Sequence, residues 1–93
     1  MIKDYEVSDK MIGWCDGDYS DSINRWQLKR EAKKLMKSAN MRKIQISFID
    51  SERIFGVRYN FYKATSETGE VKYIQMEYSE YEGAHYYECF KIN

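Results

Sequence analysis

The densest group of oxygen ligands in this chain lies in an acidic turn near the N-terminus. Asp16, Asp18 and Ser20 occupy the first, third and fifth positions of a candidate calcium-binding loop. The sixth position is Asp21, where such a loop needs glycine, and the twelfth is Gln27, where it needs a bidentate glutamate. The pattern therefore favours the start of a helix, because Asp and Ser accept hydrogen bonds from its free backbone N–H groups.

A second group has the residue types of a metal-dependent hydrolase. Asp50 precedes the triplet Glu70-Val71-Lys72 along the chain. An acid on one strand and a Glu-x-Lys triplet on the next can hold a metal ion and stabilise charge at a scissile phosphate. Here a complete predicted strand separates Asp50 from the triplet, so hydrolysis is the last of the three functions considered.

The single histidine and the two cysteines do not form a catalytic group by spacing. His85 precedes Cys89 by four residues, which separates them by about 13 Å along an extended strand. With Cys15 they supply three ligands at most, too few for a closed zinc site without carboxylates. Two cysteines are no disulfide framework, and reduced thiols are expected. We therefore predict that the chain is not an enzyme and has no cofactor and no metal site.

A basic stripe on the predicted helix is the first candidate binding surface. At 100° per residue, its cationic side chains lie opposite the apolar arc, with a tryptophan among them. Cations bind phosphate, and tryptophan can stack on a base, so this stripe is the candidate for direct nucleic-acid binding. Lysine-rich helix faces are also ordinary solvated surfaces. The basic stripe comprises Trp26, Lys29, Arg30, Lys33, Lys34 and Lys37.

The second candidate surface is the sheet face that a single helix cannot cover. Tyrosine and arginine are favoured anchors of protein interfaces. The residues expected on this face are Arg58, Asn60, Tyr62, Tyr73, Gln75, His85 and Tyr87. RNA-recognition sheets also stack bases on exposed aromatic residues, but this chain lacks their strand motif.

An acidic loop at residues 77–82 adjoins that face in the prediction. Its carboxylates would repel phosphate and could dock on the basic groove of a protein that handles nucleic acid. Together the loop and the face give the predicted protein-binding set. Its members are Arg58, Tyr62, Tyr73, Gln75, Glu80, Tyr81, Glu82 and Tyr87.

Periodicity predicts the elements that must position these residues. A helix is expected over residues 20–40, with Asn40 as a left-handed stop. Its apolar arc comprises Leu28, Ala32, Leu35, Met36 and Ala39. Residues 43–92 predict a four-stranded antiparallel meander with turns at 50–53 and 80–83 and a loop at 64–70. In the second strand Phe55, Val57, Tyr59 and Phe61 are expected to share one face.

These elements predict a single α+β domain over residues 1–93. One amphipathic basic helix packs on one face of the four-stranded antiparallel sheet, and residues 1–19 form a short N-terminal strand or arm and a turn. No apolar run is long enough to span a membrane, and the N-terminus lacks an apolar signal core. A cytoplasmic protein with no membrane partner is expected.

Charge is distributed unevenly along a chain whose formal net charge is zero. Residues 23–43 carry eight basic side chains and one acidic, a net charge of +7, so the rest of the chain carries −7. Such a bipolar molecule is steered toward charged partners.

The leading functional hypothesis is a non-enzymatic protein-binding module. The composition, rich in Tyr, Lys, Ile and Asn and without Pro, is similar in type to small proteins of phages and mobile elements from AT-rich hosts. Many of those inhibit host or defence enzymes, so the resemblance implies an inhibitor of such an enzyme, and the acidic loop favours one that handles nucleic acid. It assigns no residue. Direct nucleic-acid binding is the alternative, and a small metal-dependent hydrolase is the second alternative.

Overall fold

A computed structural model describes residues 4–15, 21–37 and 39–92, with the side chains of 21–23 left out. The candidate calcium ligands Asp16, Asp18 and Ser20 lie outside the described residues, as does the side chain of Asp21. The elements are β1 (Tyr5–Cys15), α1 (Asp21–Leu35), a 3-10 turn (Met41–Lys43), β2 (Gln45–Ile54), β3 (Val57–Thr65), β4 (Val71–Ser79) and β5 (Gly83–Lys91). The predicted α+β class is confirmed. No helix in the described part of the chain is both long and apolar enough to cross a membrane.

Within the described residues the sheet has five strands, in the order β1-β5-β4-β3-β2, and every neighbouring pair is antiparallel. The expected four-stranded meander is therefore extended by the N-terminal segment, which forms an 11-residue edge strand beside β5. The pairing of β1 shifts register between Val7 and Met11 and again between Met11 and Gly13. These irregularities explain why the segment shows little period-two alternation in sequence.

The helix ends at Leu35, earlier than predicted, although its apolar arc does face the core. Leu28, Ala32 and Met36 are all buried. Asn40 is not a left-handed stop: its backbone is extended, with φ −86° and ψ 118°. Its side chain instead accepts a hydrogen bond of 3.0 Å from the backbone N–H of Arg42 and so caps the 3-10 turn.

The core lies between α1 and one face of the sheet. Its residues from the sheet are Tyr62, Ala64, Ile74, Met76, Ala84 and Tyr86, and Ile44, which directly precedes β2, packs with them. On β3 the prediction chose the wrong face, because the even-numbered residues are the ones that point at the helix. Tyr62 and Asn60 are both 6% exposed there.

Hydrogen bonds offset the cost of removing these buried polar groups from water. The hydroxyl of Tyr62 accepts from the Nδ2 atoms of Asn24 (3.0 Å) and Asn60 (2.9 Å), and the hydroxyl of Tyr86 donates to Oδ1 of Asn24 (2.9 Å). The predicted outer-face positions of Tyr62 and Asn60 are therefore corrected. Their polar atoms are satisfied inside the molecule.

Where α1 approaches β1, a glycine makes room for a buried carboxylate. Glu31 is 1% exposed, and its Oε1 lies 2.5 Å from Nζ of Lys34. A Cβ atom placed on Gly13 would lie 2.6 Å from the carboxyl carbon of Glu31, which is closer than real Cβ contacts. The carboxylate of Glu31 can therefore occupy this buried position only because residue 13 has no side chain.

The opposite face of the sheet is partly covered by a corner of the sheet itself. The ring of Tyr5 lies 5.2 Å from that of Tyr73 and 6.3 Å from that of Phe61, measured between centroids. Tyr5 is on β1, three strands from β3, and strands are spaced about 4.8 Å apart. The sheet must therefore twist so that the N-terminal corner of β1 folds over this outer face. Phe61, predicted to face the helix, is buried here instead.

Candidate functional site

The turn between β2 and β3 places an aromatic side chain in an unfavourable backbone conformation. Ile54 pairs with Val57, so the turn consists of Phe55 and Gly56 alone, with φ of 50° and 80°. Two positive φ values define a type I′ turn, whose twist matches that of a hairpin and whose first position favours Asn, Asp or Gly. A bulky residue there costs about 1–2 kcal/mol. Phe55 is fully exposed, so no packing within the chain offsets that cost.

The turn between β4 and β5 also carries an exposed aromatic residue. Ser79 pairs with Gly83, whose φ is 75°, and the Oγ atom of Ser79 accepts the backbone N–H of Glu82 at 3.1 Å. Tyr81, at the centre of this turn, is 96% exposed. In an antiparallel meander the β2–β3 and β4–β5 turns lie at the same end of the sheet. Phe55 and Tyr81 therefore project from the same end.

An open cleft of about 630 Å³ lies between these two turns. We call it the tip cleft; it is lined chiefly by Arg53, Phe55, Arg58, Tyr78, Glu80 and Tyr81. Arg53 and Arg58 are directly opposite each other in the β2–β3 ladder, and Arg58 in turn is opposite Tyr78 on β4. The pair therefore places two guanidinium groups side by side in the lining of the cleft.

The tip cleft brings together residue types that are common in protein interfaces. It holds two exposed aromatic rings, two guanidinium groups and one carboxylate, but no His or Cys among its lining residues. Aromatic and arginine side chains contribute most of the binding free energy in typical protein interfaces. Within the described ranges, no group of three or more His, Cys, Asp or Glu side chains is arranged to hold a metal ion.

The structure divides the predicted protein-binding set among three places. Arg58, Glu80 and Tyr81 line the tip cleft, and Glu82 belongs to the same turn. Tyr62 is buried against the helix. The other three members, Tyr73, Gln75 and Tyr87, lie on the outer face. The predicted tyrosine platform is thus not one continuous surface.

The outer face of the sheet is less exposed to solvent than the sequence predicts. Gln75 is 3% exposed, and the Tyr5 ring packs on Tyr73. Burial raises the pKa of Tyr87, and the nearby carboxylates of Glu77 and Glu82 raise it further. Burial, followed by the charge and the hydrogen bond of Glu77, likewise raises the pKa of Tyr59. These hydroxyls therefore stay protonated at neutral pH.

The side chains of the predicted basic stripe do not form one exposed surface. Lys34 forms an ion pair with buried Glu31, and its Nζ donates to the backbone oxygen of Ile12 at 3.4 Å. Lys33 is half-buried, whereas Trp26 remains 51% exposed. Arg30 and Lys37 are also exposed.

Lys29 belongs to a different surface, a groove of about 750 Å³ beside β2. We call it the basic groove; its cations are Arg25, Lys29, Arg42 and Lys43. Arg25, Arg42 and Lys43 were not among the predicted site residues, because their juxtaposition depends on how α1 and the 3-10 turn pack beside the sheet.

The candidate hydrolytic residues are not brought together. Asp50 is paired with Phe61 in the β2–β3 ladder, whereas the backbone oxygen of Glu70 accepts from Ser66, five residues further along. The two acids are therefore separated by about 16 Å of strand. Lys72 lies 3.6 Å from a carboxylate oxygen of Glu88.

The histidine and the thiols are also separated. Cys15 packs at the edge of the core, whereas His85 faces the outer side, opposite Glu77 and Trp14. Cys89 is 2% exposed, and burial raises the pKa of its thiol to about 12. A thiol with so high a pKa is a poor nucleophile at neutral pH.

Phe55 and Arg53 are the functional candidates that sequence reasoning missed. The available signal was Gly56 within an apparent strand, with two residues separating Ile54 from Val57. That spacing indicates a tight hairpin turn and an exposed Phe55. The chain matches no family model, and no curated protein or solved structure shows significant similarity to it.

Proposed function

We propose that this chain is a non-catalytic protein-binding module that contacts its partner through the tip cleft. The observation that carries the proposal is Phe55, a fully exposed aromatic residue held at positive φ. Such a residue weakens the free molecule, whereas in a complex its ring would be buried in a pocket of the partner. Tyr81 on the facing turn supplies a second anchor.

The composition of the tip cleft favours a protein partner over a nucleic acid. Glu80 lines the cleft and Glu82 lies in the same turn, so the rim has carboxylates that repel phosphate. Arg53 and Arg58 between aromatic rings match an interface with a partner's carboxylates and apolar side chains. We further propose, from the acidic turn and the type of composition, that the partner is a nucleic-acid-processing enzyme and that the module inhibits it.

Affinity capture with matched variants tests this function. The wild-type chain and Trp26→Ala, which removes an exposed aromatic that does not line the cleft, are expected to retain one defined protein at about one to one. Phe55→Asn keeps a residue suited to the turn but removes the ring, and it should lose that protein, as should Tyr81→Ala. Retention of the same partner by both cleft variants would refute the proposal.

A second candidate function is nucleic-acid binding through what remains of the basic stripe. It is favoured by the half-exposed ring of Trp26 next to the exposed Arg30 on the outward side of α1. Binding should weaken steeply with added salt, and Trp26→Ala with Arg30→Glu should abolish it. No mobility shift with single- or double-stranded DNA or RNA in low salt would remove this candidate. The separation of Asp50 from Glu70 gives no support to a metal-dependent hydrolase.

A further inference from the structure

The basic groove runs beside the edge strand β2, on the side of the sheet that carries the helix. Arg25 and Lys29 approach from α1, and Arg42 and Lys43 from the 3-10 turn that leads into β2. Among the described residues that line the groove, one is acidic: Glu67, 3.5 Å from Nζ of Lys43. The groove therefore keeps a positive charge and favours an anionic occupant.

The strand beside the groove has an open hydrogen-bonding edge. Within the described residues β2 pairs with β3 alone, because it is the last strand of the sheet. Its first half and the residue before it, Ile-Gln-Ile-Ser-Phe-Ile at positions 44–49, carry no charge and no proline. Proteins usually protect edges with charges, bulges or proline, because an apolar open edge recruits another strand. The other edge strand, β1, is interrupted by two register shifts and carries Lys10, whereas the one bulge of β2, between Phe48 and Asp50, falls at the end of this uncharged segment.

The turn geometry indicates which backbone groups of β2 point outward. Ile54 and Val57 close a two-residue turn, so they exchange ladder hydrogen bonds, and alternate residues of β2 then point away from β3. Ser51 is one of these, and its N–H is taken by the carboxylate of Asp50 at 2.8 Å. Continued through the bulge between Phe48 and Asp50, the alternation directs the N–H and C=O groups of Ile46 and Phe48 outward.

We propose that the basic groove and the β2 edge together bind an extended acidic segment of a protein, which adds to the sheet as a sixth strand along residues 45–49. Its backbone would pair with the outward groups of Ile46 and Phe48, while its carboxylates meet Arg25, Lys29 and Arg42. Phe48 is 61% exposed, with its ring edge-on to Tyr62 at 5.9 Å, and offers an apolar contact to alternate side chains.

Backbone chemistry favours this occupant over a nucleic acid. An edge strand presents alternating donors and acceptors, and another strand satisfies both in register. A phosphate backbone accepts hydrogen bonds but has no regular donor for the carbonyl groups. A second copy of this chain is disfavoured, because antiparallel pairing of two β2 edges would bring two basic grooves together.

A short synthetic peptide in which glutamate alternates with valine tests the proposal. Its binding to the full chain should protect the backbone amides of Ile46 and Phe48 from hydrogen exchange, while a peptide alternating lysine with valine should not bind. Arg42→Glu combined with Lys43→Glu should weaken binding by about tenfold or more. Phe48→Pro removes an outward N–H and should lose binding relative to Phe48→Ala, which keeps it.

Three results would overturn the assignment. The first is binding of the acidic peptide without protection at Ile46 and Phe48, which would reduce the contact to charge alone. The second is that an oligothymidylate of equal charge binds more tightly than the peptide does. The third is a concentration-dependent dimer that the peptide does not disrupt. Because Phe55→Asn leaves the groove intact, it should bind the peptide normally, so failure here is separable from failure of the tip-cleft proposal.

Discussion

Backbone strain and solvent exposure coincide at a single residue of this molecule. Phe55 is the one non-glycine residue with positive φ in the described ranges, and its side chain contacts nothing that would offset the strain. Gly56 satisfies the second position of the same turn at no steric cost. A hairpin chosen for stability alone would carry asparagine or aspartate before that glycine.

Replacing Phe55 with asparagine should therefore stabilise the free protein while removing the proposed anchor. We expect the free energy of unfolding to rise by about 1 kcal/mol, because asparagine adopts the left-handed region more readily. Chemical denaturation with an unchanged m-value measures this. Tyr81→Asn is the matched control, since Tyr81 is equally exposed but has no positive φ, and it should leave stability nearly unchanged. A loss of stability in Phe55→Asn would contradict this account of the turn.

The burial of Cys89 leads to a second prediction, which concerns how the free energy of unfolding changes with pH. Its thiol pKa rises from an ordinary value of 9.0 to about 12, chiefly because burial disfavours the thiolate. The unfolded chain therefore loses this proton first, so the stability contribution is complete below about pH 9 and disappears as pH rises toward 12. Cys89→Ala should flatten that part of the pH profile of unfolding. A native thiol titration at pH 8 should modify half-buried Cys15 well before Cys89, and equal rates would contradict it.

Strand β4 shows how far sequence alone could specify an element. The prediction of a strand over residues 71–79 is confirmed, because alternation is uninterrupted and the loop holding Gly69 and the turn ending at Gly83 mark both ends. The β2–β3 hairpin was misplaced because residues 50–53 are polar on both faces. Such polarity resembles a turn, but on an edge strand both faces can meet water.

The faces of β3 and the candidate site were harder to predict. Tyr62 faces the helix because of hydrogen bonds to Asn24 and Asn60, which depend on the tertiary structure. The tip cleft contains Arg58, Glu80 and Tyr81 of the predicted protein-binding set, although Arg58 was expected on the outer face and its pairing with Tyr78 places it on the helix side. Phe55 was assigned to a predicted strand rather than to a turn, so the cleft was not anticipated from the sequence.

The contact between α1 and β1 predicts a strong effect of a very small substitution. Gly13→Ala would press a methyl group onto the carboxylate of Glu31, so that buried side chain must leave its ion pair with Lys34 unless the edge strand or the helix moves. We expect a loss of about 1–3 kcal/mol in the free energy of unfolding. Glu31→Ala removes the obstructing carboxylate, so the double variant should be more stable than the sum of the two single effects predicts. Strict additivity in this double-mutant cycle would show that the two residues do not press on each other.

At the scale of the whole molecule, the two proposed binding surfaces lie at opposite ends of one strand. The basic groove adjoins the start of β2 at Gln45, and the tip cleft adjoins its end at Ile54. The two ends of β2 are about 30 Å apart, and the proposed sixth strand along residues 45–49 ends about 13 Å before Arg53 of the cleft. The basic region of residues 23–43 gives the groove its charge, while Glu77, Glu80 and Glu82 cluster at the other end. Two parts of one partner, or two partners, could therefore be bound together without competition.

This separation predicts that the surfaces act independently. Phe55→Asn and Arg42→Glu share no contact and lie well beyond the range over which substitutions usually couple, so their effects on the free energy of unfolding should add to within about 0.5 kcal/mol. In the same variants, only Arg42→Glu should lower the affinity for the alternating glutamate–valine peptide. The affinity of the wild type should fall as salt is added. Isothermal calorimetry on the wild type, both single variants and the double variant measures this. A double variant whose peptide affinity departs from that of Arg42→Glu would show that the hairpin transmits binding along β2, and the two surfaces would then have to be treated as one coupled site.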